Sequence, residues 1–205
     1  MPSNYDLLIP DNYYHLYNRA IGSETMFLTE ENYHFFLQKH YQYTNTVATV
    51  YAYCLMPNHF HFFVKIKDEK SIATLHQTKK NKPLPVDAIL TSEFIMEQYS
   101  NFFNSYTKSF NKVYNRKGKL FMDHLKRKHI DDESYYTKII EYIHFNPVKH
   151  QYKTNVSDWK FSSYNALVSD AATKLNRNEI LEWFGGKEAF IKFHKRPLTK
   201  DLEGF

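Results

Sequence analysis

Two histidines, His59 and His61, are separated by one residue in an apolar stretch that is typical of a buried β-strand. A strand directs successive side chains to opposite faces, so both imidazoles point the same way. Two neutral imidazoles on one face of a strand make half of a site for a divalent metal ion. The same spacing also fits two histidines that only line a sheet. The choice depends on whether other segments supply the missing ligand and the missing chemistry.

A predicted helix offers both a third ligand and a reactive group. It ends at residues 141–147, Glu-Tyr-Ile-His-Phe-Asn-Pro. Tyr142 and Asn146 are four residues apart and therefore lie on one face of that helix. An amide oxygen is a ligand for hard metal ions, so Asn146 could complete a site with the two histidines, beside the Tyr142 hydroxyl. A phenol with a pKa of about 10 is a poor nucleophile, but a divalent ion that polarises a phosphodiester lets tyrosine attack phosphorus. Tyr135 lies on nearly the same face and is the competing candidate.

The remaining pattern describes the elements that must hold these residues. Alternating and β-branched segments predict strands, and apolar residues at every third or fourth position predict helices. Hairpin-joined strands mixed with crossing helices indicate an α+β fold of ferredoxin-like type, with an antiparallel or mixed sheet of four to five strands and helices packed mainly on one face. In chain order the predicted elements are a strand at 11–20, a helix from residue 29, hairpin strands at 47–56 and 59–67, a loop at 78–86, a helix at 91–115, a strand at 119–130, a helix at 131–147 ended by Pro147, and a helix at 178–193.

The chain of 205 residues is basic, with a formal net charge of +5 and a pI near 9.0. Between residues 108 and 129, eight lysines and arginines stand against one acid, a local excess of +7. This distribution favours an anionic partner, and interleaved aromatic residues are typical of nucleic-acid surfaces, although such a run is ordinarily a solvated face. The residues predicted to contact DNA are Arg116, Lys117, Arg127 and Lys128, together with Arg19 and His15 on one face of the first strand.

The single cysteine, Cys54, excludes an internal disulfide and a cysteine-rich zinc site. The chain begins without the basic start and apolar run of a signal peptide, and no stretch approaches the length of a membrane span. These features predict a cytoplasmic protein without membrane association.

The composition changes after His150, which divides the chain into a predicted main domain at 1–150 and a C-terminal extension at 151–205 that packs on it.

Three segments resemble one family of DNA-processing enzymes. Residues 55–64, Leu-Met-Pro-Asn-His-Phe-His-Phe-Phe-Val, resemble the histidine-hydrophobe-histidine (HUH) motif of single-tyrosine transposases. Residues 141–150, Glu-Tyr-Ile-His-Phe-Asn-Pro-Val-Lys-His, are similar to the signature of their REP-associated tyrosine transposase branch. Residues 156–164, Val-Ser-Asp-Trp-Lys-Phe-Ser-Ser-Tyr, are similar to the segment that trails this signature. The resemblance covers residues 13–164.

The resemblance implies an endonuclease and strand transferase domain at 1–150 that acts on single-stranded DNA beside imperfect hairpins, without a nucleoside triphosphate. It implies that Tyr142 is the nucleophile and forms a 5′-phosphotyrosine. The implied ligands of Mg²⁺ or Mn²⁺ are His59, His61 and Asn146. Related insertion-sequence transposases commonly have glutamine at the last position, so the asparagine favours the REP-associated branch but must lie closer to the metal. This branch also implies a monomer rather than a dimer that exchanges its tyrosine helix.

Two other functions fit parts of the same pattern. An inactive descendant of this scaffold would bind structured DNA or RNA through its basic face. Its affinity would fall as salt rises and would not depend on Tyr142 or on metal. A metal-dependent hydrolase of small phosphates would need more carboxylates near His59 than the sequence contains.

Overall fold

The structure is a computed structural model that describes residues 6–196. It confirms the predicted α+β class and contains an antiparallel sheet of four strands. None of the helices in this range is long and apolar enough to cross a membrane. The strands are β1 (Tyr13–Arg19), β2 (Ala48–Met56), β3 (His59–Ile66) and β4 (Lys126–Ile130), and the helices are α1 (Glu30–Thr44), α2 (Glu69–Lys80), α3 (Ala88–Val113), α4 (Tyr136–Lys149), α5 (Tyr164–Val168), α6 (Arg177–Trp183) and α7 (Lys187–Phe193).

The sheet has the strand order β2-β3-β1-β4, and every neighbouring pair is antiparallel. β2 and β3 form the predicted hairpin. The register of β1 against β3 places Tyr17 opposite His61 and Arg19 opposite His59. Directly opposed residues of an antiparallel pair lie on the same face. β1 therefore adds its side chains to the face that carries both histidines.

α1 and α3 cover the opposite face of the sheet. Phe36 of α1 packs against Phe60 and Phe62 of β3 with ring centroids 5.2 and 6.4 Å apart. Phe102 of α3 lies 4.8 Å from Phe36, and all four rings are at most 1% exposed. Burial of each such ring stabilises the fold by about 1.5 to 3 kcal/mol. This packing fixes which side of β3 points inward, so the two histidines must face the other way.

α4 covers the histidine face, so the helices lie on both faces of the sheet rather than mainly on one. Tyr136, at the start of α4, packs on Tyr13 and Phe63 with ring centroids 4.4 and 5.5 Å apart. Trp183 of α6 joins the same cluster, 5.1 Å from Tyr136. The aromatic side chains on this face must be shielded from water, as those on the first face are. Helices packed on only one face of the sheet would leave them exposed.

Residues 151–196 pack against the edge of the sheet and against α4. The N–H of Leu55 in β2 donates to the Phe161 carbonyl at 2.9 Å, and the Trp159 indole donates to the Leu55 carbonyl at 3.0 Å. This end of the β2 edge is therefore paired rather than open. The rest of the predicted extension, residues 197–205, lies outside the described residues.

The last two predicted helices differ from the structure in where the first ends and in how the second is divided. α4 does not end at Pro147 but continues to Lys149, and the chain turns where Gln151 takes a positive φ of 60°. The predicted helix at 178–193 is two helices, α6 and α7, separated by a pair of glycines with φ of 83° and 109°. Left-handed backbone angles of this kind end helices and favour glycine.

The fourth strand and the loop after α2 are both shorter than predicted. β4 begins at Lys126, because Phe121 forms only an isolated bridge and a bend at Asp123 and His124 follows it. α2 continues to Lys80, into the predicted loop at 78–86. Neither change alters the order of the strands in the sheet.

Candidate active site

β3 and its neighbours hold the two histidines in fixed orientations. The rings of His59 and His61 lie 5.3 Å apart and nearly perpendicular. Nδ1 of His59 lies 2.8 Å from the side-chain oxygen of Asn58, to which it donates. Nδ1 of His61 lies 2.9 Å from Nε2 of His15, a buried residue of β1. Because both Nδ1 atoms are engaged, Nε2 is the nitrogen that each ring can offer to a ligand.

Burial keeps both imidazoles neutral. Burial, followed by the nearby His15, lowers the pKa of His61 well below its usual 6.5. Burial lowers the pKa of His59 to about 4, the neighbouring His150 acts in the same direction, and the Asn146 side chain opposes the change. The neutral imidazole is the form that binds a metal ion. Both rings are therefore in the ligand form at neutral pH.

α4 brings the predicted nucleophile and the predicted third ligand to the two histidines. The ring of Tyr142 meets His61 edge-on, with centroids 5.6 Å apart. Asn146 follows one turn later and is 1% exposed. All four side chains line one cleft of about 380 Å³. Residues from distant parts of the chain thus meet where the sequence predicts a common site.

Pro147 explains the orientation of the Asn146 side chain. Proline has no N–H, so the carbonyl of Ile143, four residues earlier, loses its usual helical partner. The amide nitrogen of Asn146 donates to the Tyr142 carbonyl at 2.9 Å and to the Ile143 carbonyl at 3.4 Å. The nitrogen is thereby held against the helix, and the amide oxygen points away from it.

The donor atoms of the cleft fit a divalent metal ion. Oδ1 of Asn146 is buried and has no hydrogen-bond partner in the part of the chain that the structure describes. A buried acceptor without a partner is costly, and a bound cation would satisfy it. Between residues 6 and 196, no cluster of three or more His, Cys, Asp or Glu has the arrangement of a metal site. A metal site at this cleft would combine the amide oxygen with Nε2 of His59 and of His61.

Tyr142 is protonated at neutral pH. Its side chain is 6% exposed, and burial, followed by the nearby Tyr17, raises its pKa above the usual 10. Nζ of Lys149 lies 5.2 Å from the centre of the Tyr142 ring. A positive charge at this position favours the phenolate over the phenol. Lys149 is therefore a candidate for assisting the loss of the hydroxyl proton.

Further residues of the cleft are not predicted by the sequence pattern. His150 packs on His59 with ring centroids 5.0 Å apart. Its position four residues after Asn146 is a usable sequence signal, because it continues the same helix face. Other residues depend on strand register and on the turn after α4, which the spacing does not specify. These are Tyr17, Lys126 and Tyr152.

The chain is similar in sequence to a curated protein of Haemophilus influenzae named "Putative REP-associated tyrosine transposase". The two are 28% identical over 122 residues, which make up 57% of this chain and 59% of that protein. The chain therefore spans about three-fifths of the length of this relative. No protein-family model matches the chain.

The fold is similar to that of a REP-associated tyrosine transposase whose structure was solved bound to a REP hairpin. The TM-score is 0.57 at 17% sequence identity, and the match covers 86% of this chain and 94% of the other. The chain resembles REP-associated tyrosine transposases in sequence and in fold. At this level of identity, the structural match concerns the fold alone.

Two of the predicted DNA contacts are engaged inside the protein. His15 is fully buried and bonds to His61, so its side chain is not accessible to DNA, contrary to the prediction. Alternation along β1 gives its face correctly, but it does not show that another element covers that face. Arg116 forms a salt bridge of 2.9 Å with Glu24 and donates to the Lys119 carbonyl at 2.8 Å. Its guanidinium therefore holds a loop together.

The other predicted DNA contacts lie nearer the surface. Arg19 is exposed and lines the cleft beside the unpredicted Lys126. Lys117 and Lys128 are also exposed, whereas Arg127 is half-buried and donates to a backbone carbonyl. Positive charge is thus present at the cleft itself as well as along the basic segment.

Proposed function

We propose that this protein is a REP-associated tyrosine transposase, a divalent-metal-dependent enzyme that nicks and rejoins single-stranded DNA beside a hairpin. The observation that carries the proposal is the cleft in which Tyr142 lies beside His59, His61 and the buried oxygen of Asn146, for which residues 6–196 offer no hydrogen-bond partner. The similarities to a named REP-associated transposase and to one solved with a REP hairpin support it. The proposed partner is a REP-like hairpin with a single-stranded flank, bound by a monomer.

In the proposed reaction, the hydroxyl oxygen of Tyr142 attacks the phosphorus of a DNA phosphodiester and releases its proton. The bond from phosphorus to the 3′ oxygen breaks, this oxygen takes up a proton, and the 5′ phosphate stays joined to the tyrosine. The phosphotyrosine bond conserves the energy of the broken bond, so a 3′-hydroxyl can reverse the attack and rejoin strands. The positive charge of Lys149, whose Nζ lies 5.2 Å from the centre of the tyrosine ring, would favour the phenolate over the phenol as the proton leaves.

The divalent ion would be held by His59, His61 and Asn146. When bound, it would polarise the scissile phosphate and stabilise the charge that develops in the transition state. The protein contributes neutral imidazoles and an amide oxygen that is already desolvated. Arg19 and Lys126, which line the same cleft, would bind the phosphate backbone next to the cleaved position.

A covalent-adduct assay tests this proposal. Purified protein is incubated with Mn²⁺ or Mg²⁺ and end-labelled hairpin DNA, and the protein–DNA adduct is separated on a denaturing gel. We expect an adduct with the wild type and none with Tyr142→Phe or with a chelator. Tyr135→Phe and Tyr152→Phe are matched controls that should retain it. The first removes the competing tyrosine of the sequence pattern, and the second removes another hydroxyl that lines the cleft.

Two outcomes would contradict the proposal in different ways. An adduct that persists in Tyr142→Phe would assign the nucleophile to another residue, with Tyr17 and Tyr152 as the next candidates in the cleft. A wild type that forms no adduct but binds the hairpin with a strong salt dependence, unchanged by Tyr142→Phe, would instead favour the binding-only function.

A further inference from the structure

His15 lies directly behind His61, at a position that the proposed reaction does not use. Its side chain is fully buried, and its Nε2 lies 2.9 Å from Nδ1 of His61. Its ring stacks on Tyr17 with centroids 4.8 Å apart and meets the edge of Tyr142 at 5.9 Å. Groups on β1, β3 and α4 thus confine the ring, and it presents one particular nitrogen to His61.

The hydrogen bond between the two rings depends on where each proton lies. A neutral imidazole carries one N–H, so one of its nitrogens donates and the other accepts. If His61 binds a metal through Nε2, its proton must be on Nδ1, and Nε2 of His15 must accept it. His15 then carries its own proton on Nδ1, which has no partner within residues 6–196.

This arrangement is not one that packing alone would favour. A buried N–H without a partner is destabilising, and a phenylalanine would fill the same space without that penalty. His40, buried on the other side of the sheet, provides a contrast, because its Nδ1 lies 3.2 Å from the Thr44 hydroxyl while its ring stacks on Phe62. What distinguishes histidine from an apolar ring at position 15 is therefore the acceptor that it offers to His61.

We propose that His15 is a positioning residue for the metal site. By accepting the Nδ1–H of His61, it fixes the tautomer and the ring orientation that direct Nε2 of His61 into the cleft. Partners of this kind behind a ligating histidine commonly determine how tightly the metal binds. The inference rests on the proposed function, specifically on a metal site formed by His59, His61 and Asn146.

Binding of Mn²⁺ alone, measured without DNA, tests this role separately from catalysis. The affinity of the full chain is measured from the electron paramagnetic resonance signal of free Mn²⁺, for the wild type, His15→Phe and His15→Gln. Phenylalanine keeps the ring but removes the acceptor, whereas glutamine places an oxygen near the position of Nε2. We expect the affinity of His15→Phe to be about 10 to 100 times weaker. His15→Gln should restore it towards the wild-type value.

His40→Phe is the matched control, because it makes the same replacement of a buried histidine on the opposite face of the sheet. It should bind Mn²⁺ as the wild type does. Thermal unfolding of His15→Phe should stay close to that of the wild type, since one buried ring nitrogen without a partner is exchanged for another. A loss of affinity at unchanged stability is not expected from a residue that serves packing alone.

Each other outcome overturns the positioning role. Equal Mn²⁺ affinity in the wild type and His15→Phe, or equally weak binding by both variants, would remove it and leave the proposed function standing. A large loss of thermal stability in both variants would assign His15 to packing instead. A wild type that does not bind Mn²⁺ would remove the proposed metal site and this role with it, which the adduct assay checks independently.

Discussion

Asn146 has two roles that substitutions can separate. Its nitrogen satisfies backbone carbonyls next to Pro147, and its oxygen is a proposed ligand. We expect Asn146→Ala to lower the free energy of unfolding by about 1 to 2 kcal/mol, because the Ile143 carbonyl loses its donor. The same variant should bind Mn²⁺ about tenfold more weakly or worse. Asn146→Asp loses the donor but keeps an oxygen, so Mn²⁺ should stabilise it at least as much as the wild type.

Urea unfolding with and without Mn²⁺ measures both roles of Asn146. If Asn146→Ala were stabilised by Mn²⁺ as strongly as the wild type, the amide oxygen would not be a ligand. The orientation of the Asn146 side chain would then concern only the helix around Pro147.

Glu141, buried in α4 beside the proposed nucleophile, makes stability depend on pH. Burial raises its pKa from 4.5 to about 7, against a smaller opposite effect of Arg196. The fold therefore favours the protonated carboxyl, and this stabilisation is complete below pH 4.5 and lost as the pH rises to about 7. We expect Glu141→Gln to match the wild type near pH 4 and to exceed its free energy of unfolding by up to about 3 kcal/mol near pH 8. Urea unfolding across this range measures the difference, and parallel curves would contradict it.

Sequence spacing is sufficient to predict the positions of some residues of the site but not of others. The alternation of residues in β3 places His59 and His61 on one face of the strand. The helical spacing in α4 places Tyr142 and Asn146 on one face of the helix. Both are local periodicities that tertiary packing does not change. The position of Tyr17 opposite His61 depends instead on the register between two strands, which one strand's pattern does not contain.

At the level of elements, the C-terminal segment holds α4 through a ladder of buried hydrogen bonds. Nδ1 of His194 donates to the Phe190 carbonyl at 2.9 Å, so its Nε2 accepts from Nδ1 of His144 at 2.9 Å. Nε2 of His144 then accepts from the Ser163 hydroxyl at 2.7 Å. Each neutral ring therefore has one defined tautomer. If His194 took up a proton, its Nε2 and the Nδ1 of His144 would both carry hydrogens, and the hydrogen bond between the two rings would be lost.

This ladder predicts a loss of stability in acid. Burial lowers the pKa of His194 to about 4 and, with His194 as its neighbour, that of His144 well below 6.5. The stabilisation is complete above pH 6.5 and is lost as the pH falls towards 4. We expect a decrease of up to about 1.4 kcal/mol per pH unit for each histidine. His194→Phe should show a shallower pH slope but lower stability at pH 8, because His144 loses its acceptor.

Urea unfolding between pH 4 and pH 8 measures these slopes, and His34→Phe, at an exposed histidine of α1, is the control that should keep the wild-type slope. An unchanged slope in His194→Phe would mean that the ladder does not control acid stability.

The sequence pattern could not predict the ladder. It needs α7 as a separate helix, and the glycines at 185 and 186 that create α7 interrupt a segment whose apolar periodicity is otherwise helical.

At the scale of the whole molecule, the basic segment does not act as one surface. The sequence predicts DNA contacts from charge density, which does not distinguish a side chain that faces solvent from one that bonds within a loop. Arg116 is bonded to Glu24 and to backbone carbonyls, whereas Lys117 beside it is exposed. Lys126 lies at the cleft because β4 pairs with β1 there. The fold thus selects which of the charges can reach a phosphate backbone.

Salt dependence of DNA binding tests this selection. Each lysine that contacts a phosphate releases counterions, so Lys126→Ala and Lys117→Ala should each reduce the slope of log affinity against log salt by about 0.7 to 0.9. Arg116→Ala should leave the slope unchanged and instead lower the free energy of unfolding by about 1 to 3 kcal/mol, because a charged hydrogen-bonding group is lost from the loop. Fluorescence anisotropy with a labelled hairpin, at about 50 to 200 mM salt, measures the slopes. A reduced slope in Arg116→Ala at unchanged stability would show that charge density along the chain predicts the DNA contacts better than the fold does.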